Sequence, residues 1–163
     1  MTAIIAIVGR SKTGKTTLVE KLIPELTARG HKIATVKNTF HRIEFDVPGS
    51  DTWRHIKAGS AATAICSADT IMLIKKTKSK STLEDVIKLF NDEYDLLIIE
   101  GFKESNLPKI EVHRKEIGPP LMNLRNLLAI ATDEDITTEI PQFSLGNIKE
   151  MTQFIEDKVI RKE

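Results

Sequence analysis

Apolar positions along this chain alternate between two rhythms. Short, nearly continuous runs occur at Ala3–Val8 (AIIAIV), Ile33–Lys37 (IATVK), Asp95–Glu100 (DLLIIE) and Leu127–Ala131 (LLAIA), with the length and branched residues of strands buried on both faces. Between them the spacing widens to that of helices. Val19, Leu22, Ile23 and Leu26 share one helical face, Gly30 closes that pattern, and Pro24 inside it predicts a kink. Ser81 and Glu84 form a capping box before LEDVIKLF, and Asn147 with Glu150 does the same before Ile148, Met151, Phe154, Ile155 and Val159. Ser50 or Asp51 caps a shorter helix, DTWRHIKAG, that Gly59 ends.

Thr63–Ser67 and Thr70–Lys75 are strand candidates around a tight Ala68–Asp69 turn, either a hairpin or consecutive strands at a sheet edge. KIEVHR, Lys109–Arg114, is a further strand. Strands alternating with helices predict an α/β fold, a doubly wound, mostly parallel sheet with a possible edge hairpin, whose site lies at the strands' carboxyl ends. At 163 residues the expectation is one domain, 1–163.

The chemistry concentrates between the first strand and the first helix. GRSKTGKTT, Gly9–Thr17, matches GxxxxGK[ST] at Gly9, Gly14, Lys15 and Thr16, with a strand before it and a helix after it. Phosphate oxygens need several converging backbone N–H groups, which a loop with glycine freedom feeding a helix N-terminus supplies. Gly9, Ser11, Lys12, Thr13, Gly14, Lys15, Thr16 and Thr17 are the expected nucleotide-binding residues. Lys15 is expected to reach the β- and γ-phosphates, and the Thr16 hydroxyl to ligate magnesium. The fold class is therefore that of a P-loop NTPase.

A magnesium-bound triphosphate also calls for an acid at the end of a neighbouring buried strand. Glu100 ends DLLIIE on the same edge as the loop, whereas Asp95 opens that strand at the opposite edge, so Glu100 is the better candidate, with a capping role as the plain alternative. Gly101 after it is expected to let the backbone approach the γ-phosphate. The long segment after the second strand, NTFHRIEFDVPGS, carries Asp46 and leads to Asp51; Lys37 and His41 flank it. Each of these acids has an equally plain reading, Asp51 as an N-cap and Asp46 as a solvated loop acid. Asp133, beyond LLAIAT, stands where an acceptor for a guanine ring is expected, or is a turn aspartate. Arg10, Arg42 and Arg54 are the arginines available to a transferring phosphoryl group.

Charge narrows the partners. With 24 basic and 23 acidic residues the net charge is +1, which argues against nucleic acid or an anionic membrane as partner, and the basic run KKTKSK lacks the interleaved aromatics of a stacking surface. No apolar run reaches the roughly 20 residues of a bilayer span. The single cysteine, Cys66, falls in a predicted strand as a small buried hydrophobe, and a cytoplasmic location is expected.

Beyond the loop, KNTFH followed by DVPGSDTWRHIKAG, then IIEGFK, PKIEVHR and AIATD resemble the molybdopterin-guanine dinucleotide biosynthesis protein B family over nearly the whole chain. That resemblance implies a dimeric, weakly hydrolysing GTP-binding protein that assists the molybdenum cofactor guanylyltransferase, with magnesium as cofactor and molybdopterin as a further candidate ligand. It implies nucleotide contacts from Gly14, Lys15, Thr16 and Thr17, metal-side and catalytic roles for Asp51 and Glu100 beside Lys15, and a functional loop at Lys37 and His41. The sequence departs from the family pattern at Asn38 and Phe40, where histidines are expected, and at Lys12, where glycine is frequent. A small-molecule kinase and a metallochaperone-like GTPase are the alternative readings.

Overall fold

The computed structural model describes residues 2–39, 46–77, 81–90, 93–121 and 123–161. The buried runs form the expected strands: β1 (Ala3–Val8), β2 (Ile33–Lys37), β5 (Leu96–Glu100), β6 (Lys109–Val112) and β7 (Leu127–Thr132). A short strand β8 (Gln142–Ser144) joins them. Among the described residues these six make one all-parallel sheet in the order β2-β5-β1-β6-β7-β8. This is the expected α/β doubly wound sheet.

Helices cover both faces of the central strands β1 and β5, which are apolar on both. The helices α1 (Lys15–Ala28) and α4 (Ile148–Ile155) pack on one face, where Leu18, Leu22, Leu26, Met151 and Ile155 meet Ile5, Ile7, Ile98 and Val112. The short helix α3 (Leu83–Ile87) lies on the other, its Leu83 and Ile87 against Ala34, Leu97 and Ile99. α1 runs through Pro24 as one continuous helix. The segment expected to continue α4 widens instead into a π-helical turn at Glu156–Ile160, closed by the Arg161 N–H donating to the Glu156 carbonyl. Asn147 makes no side-chain cap on α4, contrary to the capping-box expectation. KIEVHR stops being strand at Val112, two residues short of its predicted end.

By internal contacts the chain groups into two compact units, Met1–Asn38 with Leu83–Glu163, and Thr39–Thr82. The second unit contains α2 (Asp51–Lys57) and an antiparallel hairpin of β3 (Ala62–Cys66) and β4 (Ile71–Lys75), with Cys66 opposite Ile71. Ser50 is the N-cap of α2, its hydroxyl accepting from the Trp53 N–H at 3.2 Å, as one of the two sequence readings had it. The hairpin makes its own two-stranded sheet and does not extend the edge of the six-stranded one. That arrangement corrects the reading of Cys66. The cysteine is exposed, because a two-stranded ribbon has no core of its own to bury it in.

The π turn has a physical consequence at the C-terminal end of α1. It places Glu156, whose side chain is only 3% exposed, within 2.7 Å of both Arg29 Nη1 and His31 Nε2, with Arg161 Nη2 at 3.6 Å. The hydrogen bond from His31 holds the Glu156 carboxyl below the usual carboxylate range; burial opposes this, and Arg29 and Arg161 reinforce it. A lowered folded-state pKa means that this stabilisation is complete above the unfolded value of about 4.3 and is lost as pH falls through the folded value. Replacing Glu156 by Ala leaves the partly buried Arg29 and His31 without their shared acceptor and is expected to destabilise the chain by about 1–3 kcal/mol. In a urea titration repeated between neutral and acid pH, Glu156→Gln should flatten the acid limb of the stability curve; an unchanged limb counts against this role.

Candidate functional site at the carboxyl edge of the sheet

The loop between β1 and α1 is shaped by close packing against β6. A Cβ on Gly9 would lie 2.4 Å from the Val112 carbonyl oxygen, and Gly9 has φ 142°, so only glycine fits. Thr13 is buried and its hydroxyl donates to the Arg10 carbonyl at 3.0 Å, closing the turn. Gly14 takes the left-handed conformation at φ 97° and starts α1 with no side-chain cap, so helix N–H groups face the loop. Lys12 is also left-handed, at φ 67°. The glycine frequent here in the resembled family is thereby explained, since a side chain in this region costs about 1 kcal/mol or more. Ser11, Lys12, Thr16 and Thr17 are exposed along the rim.

Lys15 lies back along the loop. Its ammonium donates to the carbonyls of Gly9 at 3.2 Å and Arg10 at 2.7 Å. Burial lowers its pKa, Glu100 opposes that shift, and Lys37 adds to it. Thr16 points the other way, its hydroxyl donating to Glu100 Oε2 at 2.9 Å. Parallel register sets Lys37 of β2 and Ile7 of β1 beside Glu100. The Lys37 ammonium completes the cluster, 3.3 Å from Thr16 Oγ1 and 3.3 Å from Glu100 Oε1. Lys15, Thr16, Lys37 and Glu100 are thus brought together. Gly101 has φ 115°, and a Cβ there would stand 3.0 Å from Asn38 Cβ, so contact with β2's end is a sufficient reason for glycine.

On the opposite side of the loop stands Arg114, which the sequence reading passed over. Its Nε donates to the Thr13 carbonyl at 3.1 Å and its Nη1 reaches Asp133 Oδ2 at 3.5 Å. Asp133, just after β7, accepts from the Lys115 N–H at 2.9 Å, and that bond first, with Arg114 a lesser cause, holds its carboxyl below the usual range. β6 and the residue after it supply three further buried groups. Lys109 donates to the carbonyls of Leu107 and Arg125 at 2.9 Å and also to that of Ser105. Glu111 accepts from the Leu121 N–H at 2.7 Å, and burial raises its pKa. His113 meets Glu134 at 2.8 Å. Their one signal in the sequence is the alternation of KIEVH, which ordinarily marks a solvated face.

The remaining expected residues that are described have partners of their own. Asp51 belongs to the second unit, where it opens α2, is 90% exposed and pairs with Arg54 at 3.7 Å. Asp46 turns onto its own loop, accepting from the Val47 N–H and the Ser50 hydroxyl at 2.8 Å each; hydrogen bonding, led by Thr52, lowers its pKa. Arg10 donates to the Pro119 carbonyl at 3.0 Å. His41 and Arg42 fall outside the described residues.

The arrangement has known relatives. Molybdopterin-guanine dinucleotide biosynthesis adapter proteins of Haemophilus influenzae and Escherichia coli are 33% and 30% identical, over 94% and 95% of this chain and 88% and 92% of their own. A crystal structure of Bacillus subtilis MobB superposes with a TM-score of 0.78 at 25% identity, covering 98% of this chain and 99% of its own. A MobB homologue from Bacillus stearothermophilus gives 0.73 at 26% identity over 93% and 94%. The family model described as molybdopterin guanine dinucleotide synthesis protein B matches residues 4–133, the span that holds the loop, Glu100 and Asp133, and the chain belongs to that family.

Proposed function

We propose that this chain is a GTP-binding adapter in molybdopterin guanine dinucleotide synthesis, holding magnesium-bound GTP in the Gly9–Thr17 loop and working with the guanylyltransferase of the molybdenum cofactor. The observation that carries the nucleotide reading is the meeting of a glycine-shaped loop, a bare helix N-terminus, Lys15, and the Thr16–Glu100 pair within one strand's width. The adapter role rests on the relatives' shared name.

A hydroxyl and a carboxylate 2.9 Å apart are hard oxygen donors of the kind magnesium takes, so Thr16 and Glu100 suit it. When bound, the ion neutralises charge on the β- and γ-phosphate oxygens. Lys15 then leaves the Gly9 and Arg10 carbonyls for the phosphates, and the loop and helix N–H groups hold the rest. Asp133 would be the acceptor for the guanine ring, on the side where Arg114 contacts the loop. Hydrolysis in this reading is slow, with water attacking the γ-phosphate against charge held by Lys15 and the loop. A partner protein is where the nucleotide is used.

A second copy of the chain is the partner proposed for the hairpin. Ile71, Leu73, Ile65 and Met72 are 75%, 54%, 42% and 37% exposed, on a two-stranded sheet too small to be stable alone in water. Two such hairpins pairing edge to edge about a two-fold axis would give a four-stranded sheet that gathers the copies of Ile71 and Leu73 on one face and those of Ile65 and Met72 on the other.

Lys15→Ala is expected to weaken GTP binding about 100-fold or more, the loss of charge-assisted bonds worth about 3 kcal/mol. Calorimetric titration in magnesium checks it, and wild-type affinity in the variant overturns the cradle. GTP should bind at least about tenfold tighter than ATP; equal affinities remove guanine from the reading. Leu73→Lys is expected to convert a dimer into a monomer by light scattering while leaving GTP affinity unchanged; a wild-type chain that is monomeric overturns the homodimer. Capture of the guanylyltransferase by the wild-type chain tests the adapter role, and no complex at any nucleotide state counts against it.

A further inference from the structure

The Lys37 ammonium stands 3.3 Å from Thr16 Oγ1 and 3.3 and 3.4 Å from the two oxygens of Glu100. Those are the oxygens assigned above to magnesium. The two partners differ in freedom. Glu100 is 15% exposed at the end of a central strand, whereas the Lys37 side chain is 63% exposed on a long stem whose backbone is fixed by pairing with β5. The head of Lys37 can therefore leave without disturbing the sheet, and the carboxylate cannot follow it. An exposed ion pair of this length holds its partner weakly, as suits an occupant meant to be displaced. Lys15 is otherwise engaged, by the Gly9 and Arg10 carbonyls.

We propose that Lys37 is a tethered cation that occupies the metal position and, when a magnesium-bound nucleoside triphosphate arrives, transfers its ammonium to the terminal phosphate, so that the site selects triphosphate over diphosphate. This rests on the reading of the loop as a magnesium-nucleotide cradle. The argument is electrostatic. Two ammonium groups, Lys15 and Lys37, face one carboxylate, so a free divalent cation meets a cluster that is already positive and is repelled. A metal bound to triphosphate brings an excess of negative charge, and its terminal phosphate gives the displaced ammonium an acceptor. With a diphosphate that acceptor is missing, and Lys37 goes on competing with the metal for Glu100. Lys37 is thus a specificity-determining residue that reads the terminal phosphate.

Three measurements test this. Manganese binding without nucleotide, followed by electron paramagnetic resonance, is expected to be about tenfold tighter in Lys37→Met than in wild type. The ratio of magnesium-GTP to magnesium-GDP affinity, measured by calorimetry, should fall about tenfold in Lys37→Met, chiefly through tighter binding of GDP, and recover partly in Lys37→Arg. In the wild-type chain, an amine-selective NMR spectrum should show the Lys37 signal shifting with GTP and not with GDP, which keeps the proposal testable whatever the variants do. If both proteins bind magnesium-nucleotide with the same ratio, or the Lys37 signal responds alike to GTP and GDP, the inference fails and the cradle stands. If the wild-type chain binds no nucleotide, the cradle reading falls and this inference with it.

Discussion

The hydrogen bond from Thr16 to Glu100 joins the first turn of α1 to the end of β5, and the carboxyl edge of the sheet is arranged around it. It exists because β1 and β5 run parallel in a register that sets Ile7 beside Glu100, so the chain leaving β1 turns into α1 within reach of the neighbouring strand's last side chain. The same register sets Lys37 beside Glu100 from the other side. A slip of one residue in either pairing would turn Glu100 to the opposite face and dissolve the cluster. The Gly9 contact with the Val112 carbonyl supplies the third constraint, fixing the loop against β6.

Held on two sides, the loop tolerates local strain that would otherwise unwind it. Lys12 and Gly14 both take left-handed backbone within three residues, and Lys12 does so with a side chain. The compensation comes from Thr13 between them. Its buried hydroxyl bonds back to Arg10 and its carbonyl is held by Arg114, so the loop conformation is over-determined by neighbours.

Much of this was legible in the sequence, because the signals were local. The glycines and lysine of GRSKTGKTT, the apolar runs of β1, β5 and β7, and the Ser50 cap each depend on residues close in the chain. Glu100 was legible for a similar reason, since the end of a buried run is a position that topology alone brings to the active edge. What escaped detection depends on long-range covering. Lys109, Glu111 and His113 alternate with Ile110 and Val112 as a half-solvated strand does, yet Lys109 and Glu111 are buried where Ser105, Leu107, Leu121 and Arg125 supply them with backbone partners. Arg114 looked like the tail of that strand, and its grip on Thr13 spans a hundred residues of chain. Cys66 failed in the opposite direction. Its neighbours read as a buried strand, but the hairpin pairs only with itself.

α1 is thereby held between two carboxylates of opposite character. At its C-terminal end Glu156 is buried and engaged by Arg29, His31 and Arg161, so that the carboxylate is held by partners that themselves reach solvent. At its N-terminal end Glu100 is partly exposed and shares its charge with a hydroxyl and a displaceable ammonium. The helix dipole favours an anion at this second end, and so does the loop. The buried carboxylate thus lies at the C-terminal end of α1, and the end proposed to meet phosphate carries a partly exposed one whose partners can change. A tighter pair at Glu100, buried as Glu156 is, would strengthen the fold and close the position from which, in the proposed reading, a metal-bound phosphate would be held.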